Sequence, residues 1–283
     1  MTAVQARTRT HAGAAQSAKP DAATARIADL LLARTGQDML TSRAWRIDSA
    51  LQPLLRERGF ADLGELAAAL AENADGQLPS AIVDVLLNQE TSFFRDAGVI
   101  ELAADALAAR IVADPARRPR LWSAGCSLGQ EAYSLAILLA ERGQVADIVA
   151  TDVSERAVAR ARAARYSQFE IQRGLSVHRM LKWFAQDGDD WVADRALARR
   201  VTVRRQNLVA DPPPYGLFDV ILCRNVLYYL APATRRTVFA RLADALRPGG
   251  LLILGAGETT IGQTERFIPS RAYRGAYDLA PSG

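Results

Sequence analysis

Two carboxylates stand where short apolar runs hand over to helical stretches. Glu131 opens the stretch that follows LWSAGCSLGQ, and Asp152 closes the next apolar run, 27 residues after Gly125. In an open parallel sheet, ligands bind outside the carboxyl ends of the strands, near the point where strand order reverses. Gly125 and Gly129 let backbone approach such a ligand closely. The turn is not G-x-G-x-x-G and lacks a Gly-Lys-Ser/Thr ending, which disfavours a dinucleotide pyrophosphate and a P-loop. An acid at that helix start repels phosphate and favours an ammonium group, or it serves its own helix N-terminus. Asp152 is placed to accept both hydroxyls of a ribose, or to cap the helix that begins near Ser154. Together the two acids favour a ligand with a ribose, a cationic amine and no pyrophosphate. S-adenosylmethionine has all three features.

Two further segments carry polar groups beside apolar ones. In FDVILCRNVLYYL, residues 218–230, Asp219 starts a buried strand and Arg224-Asn225 end it. An arginine at the carboxyl edge of a sheet can fork onto a carboxylate. In QETSFFRD, residues 89–96, Phe93 and Phe94 form an apolar wedge flanked by Thr91 and Arg95. That wedge fits a linker whose aromatics pack between two domains. The chain has only two histidines, His11 and His178, and two cysteines, Cys126 and Cys223. A histidine triad, a multi-ligand zinc site and a disulfide framework are all improbable on that count. The cysteines read as small packing residues near the ligand, and His178 as a surface residue.

The elements that must position these groups follow a clear rhythm. From about residue 119, apolar runs alternate with amphipathic stretches: Arg120 to Ala124, then Glu131 to Arg142; Asp147 to Thr151, then Ser154 to Arg165; Phe218 to Cys223, then Pro232 to Leu246; Leu251 to Gly255. This β-α-β-α order predicts a mainly parallel, doubly wound α/β sheet. Ser154 and Pro232 suit helix starts, while Gly143 and Gly249-Gly250 follow helix ends. Residues 166–206 break the rhythm and read as a small α/β insertion. Within it Ser176 to Ala185 forms a helix, and Trp191-Val192 and Val201 to Arg205 form short strands. Phe267 to Leu279 reads as an antiparallel edge pair.

Upstream, residues 25–86 read as an all-helical domain. Ile27, Leu30, Leu31 and Leu32 begin one amphipathic helix. Thr41 or Ser42 caps the next, whose inner side carries Trp45, Ile47, Leu51, Leu54 and Leu55, and Gly59 stops it. Asp62 caps a third, with Leu63, Leu66 and Leu70, and Leu78 to Leu87 gives a fourth. Residues 87–118 form a linker and connecting helix, and 119–283 the sheet domain. Residues 1–24, rich in Ala, Thr and Arg, read as a disordered tail with no apolar signal core.

The chain has 283 residues, 49% hydrophobic and 23% charged, a globular balance. Its apolar runs fall short of the roughly 20 residues a membrane span needs. The net charge is +4, and 33 of its 35 cations are arginines. This suits a GC-rich genome as well as any anionic partner, so overall charge says little. Arg43, Arg46, Arg56 and Arg58 do cluster on the second helix, either as a solvated face or as a docking surface for an acidic partner.

In this order and spacing, the blocks resemble the CheR-type chemotaxis methyltransferases. The resemblance runs from about residue 25 to 280. It rests on the helical domain, the FFR linker, the G-C-S-x-G-x-E turn, Asp152, Asn207-Leu208, and C-R-N-V with Tyr229 four residues after the Asn. It implies a Rossmann-like methyltransferase domain with S-adenosylmethionine as cofactor, S-adenosylhomocysteine as product and no metal. The reaction implied is methyl transfer to glutamate carboxylates of chemotaxis receptors, forming methyl esters. Thr91, Arg95, Gly125, Glu131, Asp152, Asn207, Leu208, Arg224 and Asn225 fall on the family's cofactor positions. Gln89 stands where the family motif N-x-T-x-F-F-R has Asn. Asn88 lies one residue too early, and Gln130 replaces the acid before Glu131. By the resemblance, Glu131 binds the methionyl amine, Asp152 the ribose, Asn207-Leu208 lie near adenine, and Arg224-Asn225 lie near the methionyl carboxylate. Arg95 and Tyr229 orient the acceptor glutamate.

The helical domain would then face the acidic cytoplasmic helices of a methyl-accepting receptor, with the four arginines steering it. The enzyme would work in the cytoplasm, without nucleic acid and without inserting into a membrane. A short insertion suggests independence from a receptor tether. The other readings are a methyltransferase for another carboxylate or a small molecule, and a non-catalytic cofactor-binding adaptor. An acceptor glutamate has a pKa of about 4.3 and is already the nucleophile at neutral pH, so no general base is required.

Overall fold

The computed structural model describes residues 21–39, 45–72 and 76–281. The proposed tail up to residue 20, the Thr41/Ser42 cap and Arg43 lie outside these residues. The helical part comprises α1 (Ala22–Thr35), α2 (Trp45–Arg58), α3 (Leu63–Glu72) and α4 (Gln77–Leu86). Asp21 caps α1 by accepting from the Thr24 N–H at 2.7 Å, so the helix starts three residues before the expected start of the helical domain. Gly59, at φ +76°, ends α2, and Asp62 caps α3 by accepting from the Glu65 N–H at 3.0 Å. Ile27, Leu31, Ile47, Leu51, Leu66 and Ile82 are fully enclosed in the core that joins the four helices.

After α5 (Ala97–Ala113) come β1 (Arg120–Ala124), α6 (Gln130–Glu141), β2 (Asp147–Asp152) and α7 (Glu155–Ala163). Next are β3 (Arg165–Ser167), α8 (Gln168–Gln172), α9 (Val177–Trp183), β4 (Phe184–Asp187), β5 (Asp190–Ala193) and α10 (Arg195–Ala198). The chain continues through β6 (Val201–Arg205), β7 (Phe218–Cys223), a 3-10 turn at Leu227–Tyr229, α11 (Pro232–Ala245) and β8 (Leu246–Leu254), and ends in β9 (Phe267–Pro269) and β10 (Ala276–Leu279).

One sheet has the order β6-β2-β1-β7-β8-β10-β9, with the first five strands parallel and β10 and β9 antiparallel. The chain winds outward from β1 to β6, then returns to β7 on the other side of β1. The crevice between β1 and β7 is therefore the switch point where a ligand binds. Side chains alternate between two cores, as the period of a strand requires. Val220 and Leu222 face α5, α6 and α7, while Ile221 and Cys223 face Val238, Phe239 and Leu242 of α11. At the opposite end of the sheet Arg117 grips the buried Asp219 with both terminal nitrogens, at 2.8 and 2.7 Å.

Three further boundaries differ from expectation. Val201–Arg205 belongs to the main sheet, pairing with β2 from Ile148↔Val201 to Asp152↔Arg205, and is not part of the insertion. The inserted sheet is β3-β5-β4 alone. The helix expected to reach Ala185 stops at Trp183, because Phe184 turns inward onto Phe93 and Tyr166 as the first residue of β4. Gly249-Gly250 lie within the span of β8, at the irregular register between Phe218 and Val220. Among the described residues no helix is long and apolar enough to cross a membrane.

The helical domain is bolted to the sheet's carboxyl edge. Asn207 Nδ2 donates to the Arg34 carbonyl at 2.7 Å, the Asp38 N–H donates to the Tyr229 carbonyl at 3.1 Å, and Gln37 bridges Leu230.

Candidate active site

A cleft opens above β1, β2 and β7, roofed by the segment that joins the helical domain to α5. Its walls carry Gln89, Thr91 and Arg95 from that segment, and Gly125, Glu131 and Asp152 from the first two strand ends. Asn207, Leu208, Arg224, Asn225 and Tyr229 complete it.

The Asp152 carboxylate ends β2, where it is half-buried. It accepts from the N–H of Ser127 at 2.8 Å and of Ser154 at 3.0 Å. Burial pushes its carboxyl above the ordinary 3.8, and those N–H donors only partly oppose the rise. The Ser127 N–H reaches it because Ser127 adopts φ +50°. Ser154 also receives the Gln89 amide, whose Nε2 donates to its Oγ at 3.0 Å. Gln89 thus keeps an amide at the cleft where the family has Asn.

A raised carboxyl pKa has a definite sign. The ionised form is disfavoured in the fold, so this group stabilises the empty protein only below its folded pKa, and that contribution is lost as pH rises through it. A ribose wants the ionised form, so binding runs the other way. S-adenosylhomocysteine affinity should weaken on acidification at a pH above the ordinary carboxylate range of about 4. Isothermal titration across pH checks this, with Asp152→Asn expected to be flat in the same window; an identical slope in both proteins would refute the assignment.

Glu131 sits one residue into α6, whose start is set by Gly129 at φ +85°. One carboxylate oxygen accepts from Ser123 Oγ at 2.7 Å and the other from Arg224 Nη1 at 2.9 Å. Arg224, with 2% of its side chain exposed, also pairs with Asp96 and donates to the Arg95 carbonyl at 3.3 Å. Its buried Nε has no partner among the described residues. The expected amine and carboxylate subsites are therefore wired together: the guanidinium between them is held by two carboxylates, with its buried Nε–H left over.

Arg95 is aimed by its neighbours. Phe93 is fully buried, edge-on to Tyr166 at 4.9 Å and Phe184 at 5.5 Å between ring centroids. The Phe94 N–H donates to Ser134 Oγ at 2.8 Å, and Arg179 lies over the Phe94 ring at 4.2 Å. Phe94 and Asp96, on either side of Arg95, take φ +49° and +54°. Such strain in non-glycine residues persists only where packing over-determines it. The Arg95 guanidinium is half-buried and donates to the Glu90 carbonyl at 2.8 Å.

Across the cleft, the Tyr229 hydroxyl accepts from Asn88 Nδ2 and from the Tyr228 hydroxyl, the latter at 3.0 Å. Asn88 is thus a cleft residue that motif alignment passes over, and Ser127 is another, while Ser154 supports Asp152 and Gln89 from behind. The side chain of Asn207 plays a different part from a ligand's. Its Oδ1 takes the N–H groups of Val209 and Ala210 at 2.9 and 3.3 Å while its Nδ2 holds α1, leaving Leu208 and backbone to face the cleft. Cys126 and Cys223 are buried, and burial beside carboxylates pushes both thiols up, away from nucleophilic use. His178 is exposed on α9. Of the arginines on α2, Arg46 lines a groove adjoining the cleft, together with Met39, Val85, Tyr228 and Tyr229. Arg56 and Arg58 are exposed at the other end of that helix.

Residues 89–275 match the family described as CheR methyltransferase, SAM binding domain. The chain belongs to this family. Its cofactor is S-adenosylmethionine, and it is a methyltransferase dependent on that cofactor. The chain is 33% identical over 236 residues to chemotaxis protein methyltransferase Cher2 of Pseudomonas putida, covering 80% of this chain and 86% of that one. It is 35% identical to a chemotaxis protein methyltransferase of Vibrio parahaemolyticus, over 80% of this chain and 85% of the other. Chemotaxis protein methyltransferase 1 of Pseudomonas aeruginosa matches at 34% identity over 77% and 83%. The cleft's lining fits the cofactor's chemistry: it carries the Asp152 and Glu131 carboxylates, which suit hydroxyl and ammonium groups, and Arg224, whose buried Nε–H has no partner among the described residues.

Proposed function

We propose that this CheR-family protein methylates glutamate side chains of chemotaxis receptors, producing methyl esters. The observation that carries the reading is that Arg95 and Tyr229 line one cleft whose walls, among the described residues, include no histidine and no lysine. A carboxylate acceptor needs orientation rather than deprotonation. When bound, S-adenosylmethionine would supply its sulfonium methyl to one glutamate oxygen and depart as S-adenosylhomocysteine, with no proton to be moved. Arg95 holds the second carboxylate oxygen, and Tyr229 donates a hydrogen bond that fixes the rotation of the group. Asn88 and Tyr228 hold the phenol in place. Asp152 holds the ribose and Glu131 and Arg224 the methionyl end, with Thr91, Gln89 and Leu208 completing the cofactor's surroundings.

The groove beside Tyr229 supports a protein acceptor over a small one. It runs from the cleft past Arg46 to the helical domain, which a small substrate would not need. The acceptor would be an acidic receptor helix on the cytoplasmic side. The β4–β5 hairpin is short, which favours docking without a receptor tether. Charge steers such encounters and is screened by salt. Replacing Arg46, Arg56 and Arg58 together with alanine should slow methylation of a receptor signalling fragment about tenfold at low ionic strength, with the difference closing as salt rises. A rate unchanged at low salt would leave these arginines as a solvated face.

Tritiated methyl transfer into a receptor signalling fragment tests the proposal. The label should be released as methanol by mild alkali. Alkali-stable label would place the methyl on nitrogen, and no incorporation would favour a different acceptor or an adaptor role.

A further inference from the structure

The turn that carries Arg224, Asn225 and Tyr229 is held from behind by a residue that never enters the cleft. Asn225 takes φ +59°, and the N–H groups of Asn225, Val226 and Leu227 converge on one point. Converging backbone donors of this kind form an anion-binding nest. Its occupant is the Glu258 side chain, four residues past the end of β8. One Glu258 oxygen accepts from Asn225 and from Gly255, both at 2.8 Å. The other accepts from Val226 at 2.9 Å and Leu227 at 2.7 Å. A Cβ at Gly255 would stand 2.9 Å from both the Asn225 backbone nitrogen and the Glu258 carboxylate, so the close approach of the two loops needs glycine there. Glu258 closes its own loop by donating its N–H to the Gly255 carbonyl at 2.9 Å.

We infer that Glu258 is a positioning residue for methyl transfer: its carboxylate clamps the Arg224–Tyr229 turn and so sets both the methionyl end of the cofactor cleft and the phenol that meets the acceptor. The inference rests on the cofactor lying in this cleft. Four charge-assisted bonds converge on a single side chain, and removing its charge leaves partly buried N–H groups without an acceptor. Val226, which the clamp also fixes, packs against Gly125 on the opposite lip. A shift of the turn therefore moves both walls of the crevice.

The test is Glu258→Gln, read by calorimetry with S-adenosylhomocysteine and by steady-state methylation, with thermal melting alongside. The amide keeps the shape, but its nitrogen cannot accept. The dissociation constant should rise about tenfold at a stoichiometry of one, with KM for S-adenosylmethionine raised and kcat lowered together. Glu258→Asp, which keeps the charge on a shorter arm, should fall between the two and stands in if the glutamine variant does not fold. Wild-type affinity in the folded variants, with any loss confined to stoichiometry, would make Glu258 a stability residue only and overturn the proposal. Absence of binding by the wild-type chain would instead overturn the cofactor placement beneath it.

Discussion

Replacing Arg95 with alanine should lower kcat about 100-fold while the dissociation constant for S-adenosylhomocysteine moves less than about fivefold. The reason lies in how the residue is mounted. Phe93 is locked in an aromatic cluster, and the residues on both sides of Arg95 sit in left-handed conformations. That arrangement fixes the direction of one guanidinium. The guanidinium donates to the backbone carbonyl of Glu90, which leaves other N–H groups to meet the acceptor. Without it, a carboxylate still reaches the cleft but rotates, and misplacement by about 1 Å is enough for a 100-fold loss. Single-turnover methylation beside calorimetry separates the outcomes. Equal losses in both would make Arg95 a cofactor ligand alone.

Gly125→Ala should do the opposite, destroying binding rather than chemistry. Gly125 sits at φ +81°, and a Cβ there would lie 2.5 Å from Val226 Cγ2. Its N–H is tied to the Thr151 carbonyl at 2.8 Å, so it cannot retreat without breaking the link between β1 and β2. Left-handed strain and overpacking each cost on the order of 1–3 kcal/mol. The melting temperature should fall by roughly 5–10 °C. Where the variant remains folded, S-adenosylhomocysteine affinity should drop more than about 100-fold, since the alanine methyl would force Val226 and the lip of the proposed cofactor cleft to move. Wild-type affinity in the variant would move the cofactor away from this turn.

Features set by short-range interactions are legible in the order of the residues. Short apolar runs locate β1, β2 and β7, and the caps at Asp62 and Ser154 mark helix starts because their hydrogen bonds close within three residues. The motif residues also fall around one cleft, because strand ends in a parallel sheet deliver their polar residues to one edge. Long-range pairing leaves no such mark. Val201–Arg205 looks like any short strand until β2 claims it. The helix expected through Ala185 yields to the aromatic cluster around Phe93, about ninety residues upstream in the chain. Nothing near Arg224 announces Asp96 as its partner, and nothing near Asn207 announces that α1 takes its amide. Ser127 is a further case: its positive φ follows from the geometry of the crevice, and serine carries no signal for it.

One titration tests the cofactor cleft most directly: S-adenosylhomocysteine into the purified full chain and into its Asp152→Ala variant. Loss of a charged acceptor for two ribose hydroxyls removes on the order of 3 kcal/mol or more. The wild type should bind one ligand per chain, and the variant about 100-fold more weakly or not at all. No binding heat from the wild type, or indistinguishable isotherms from the two proteins, would contradict the account.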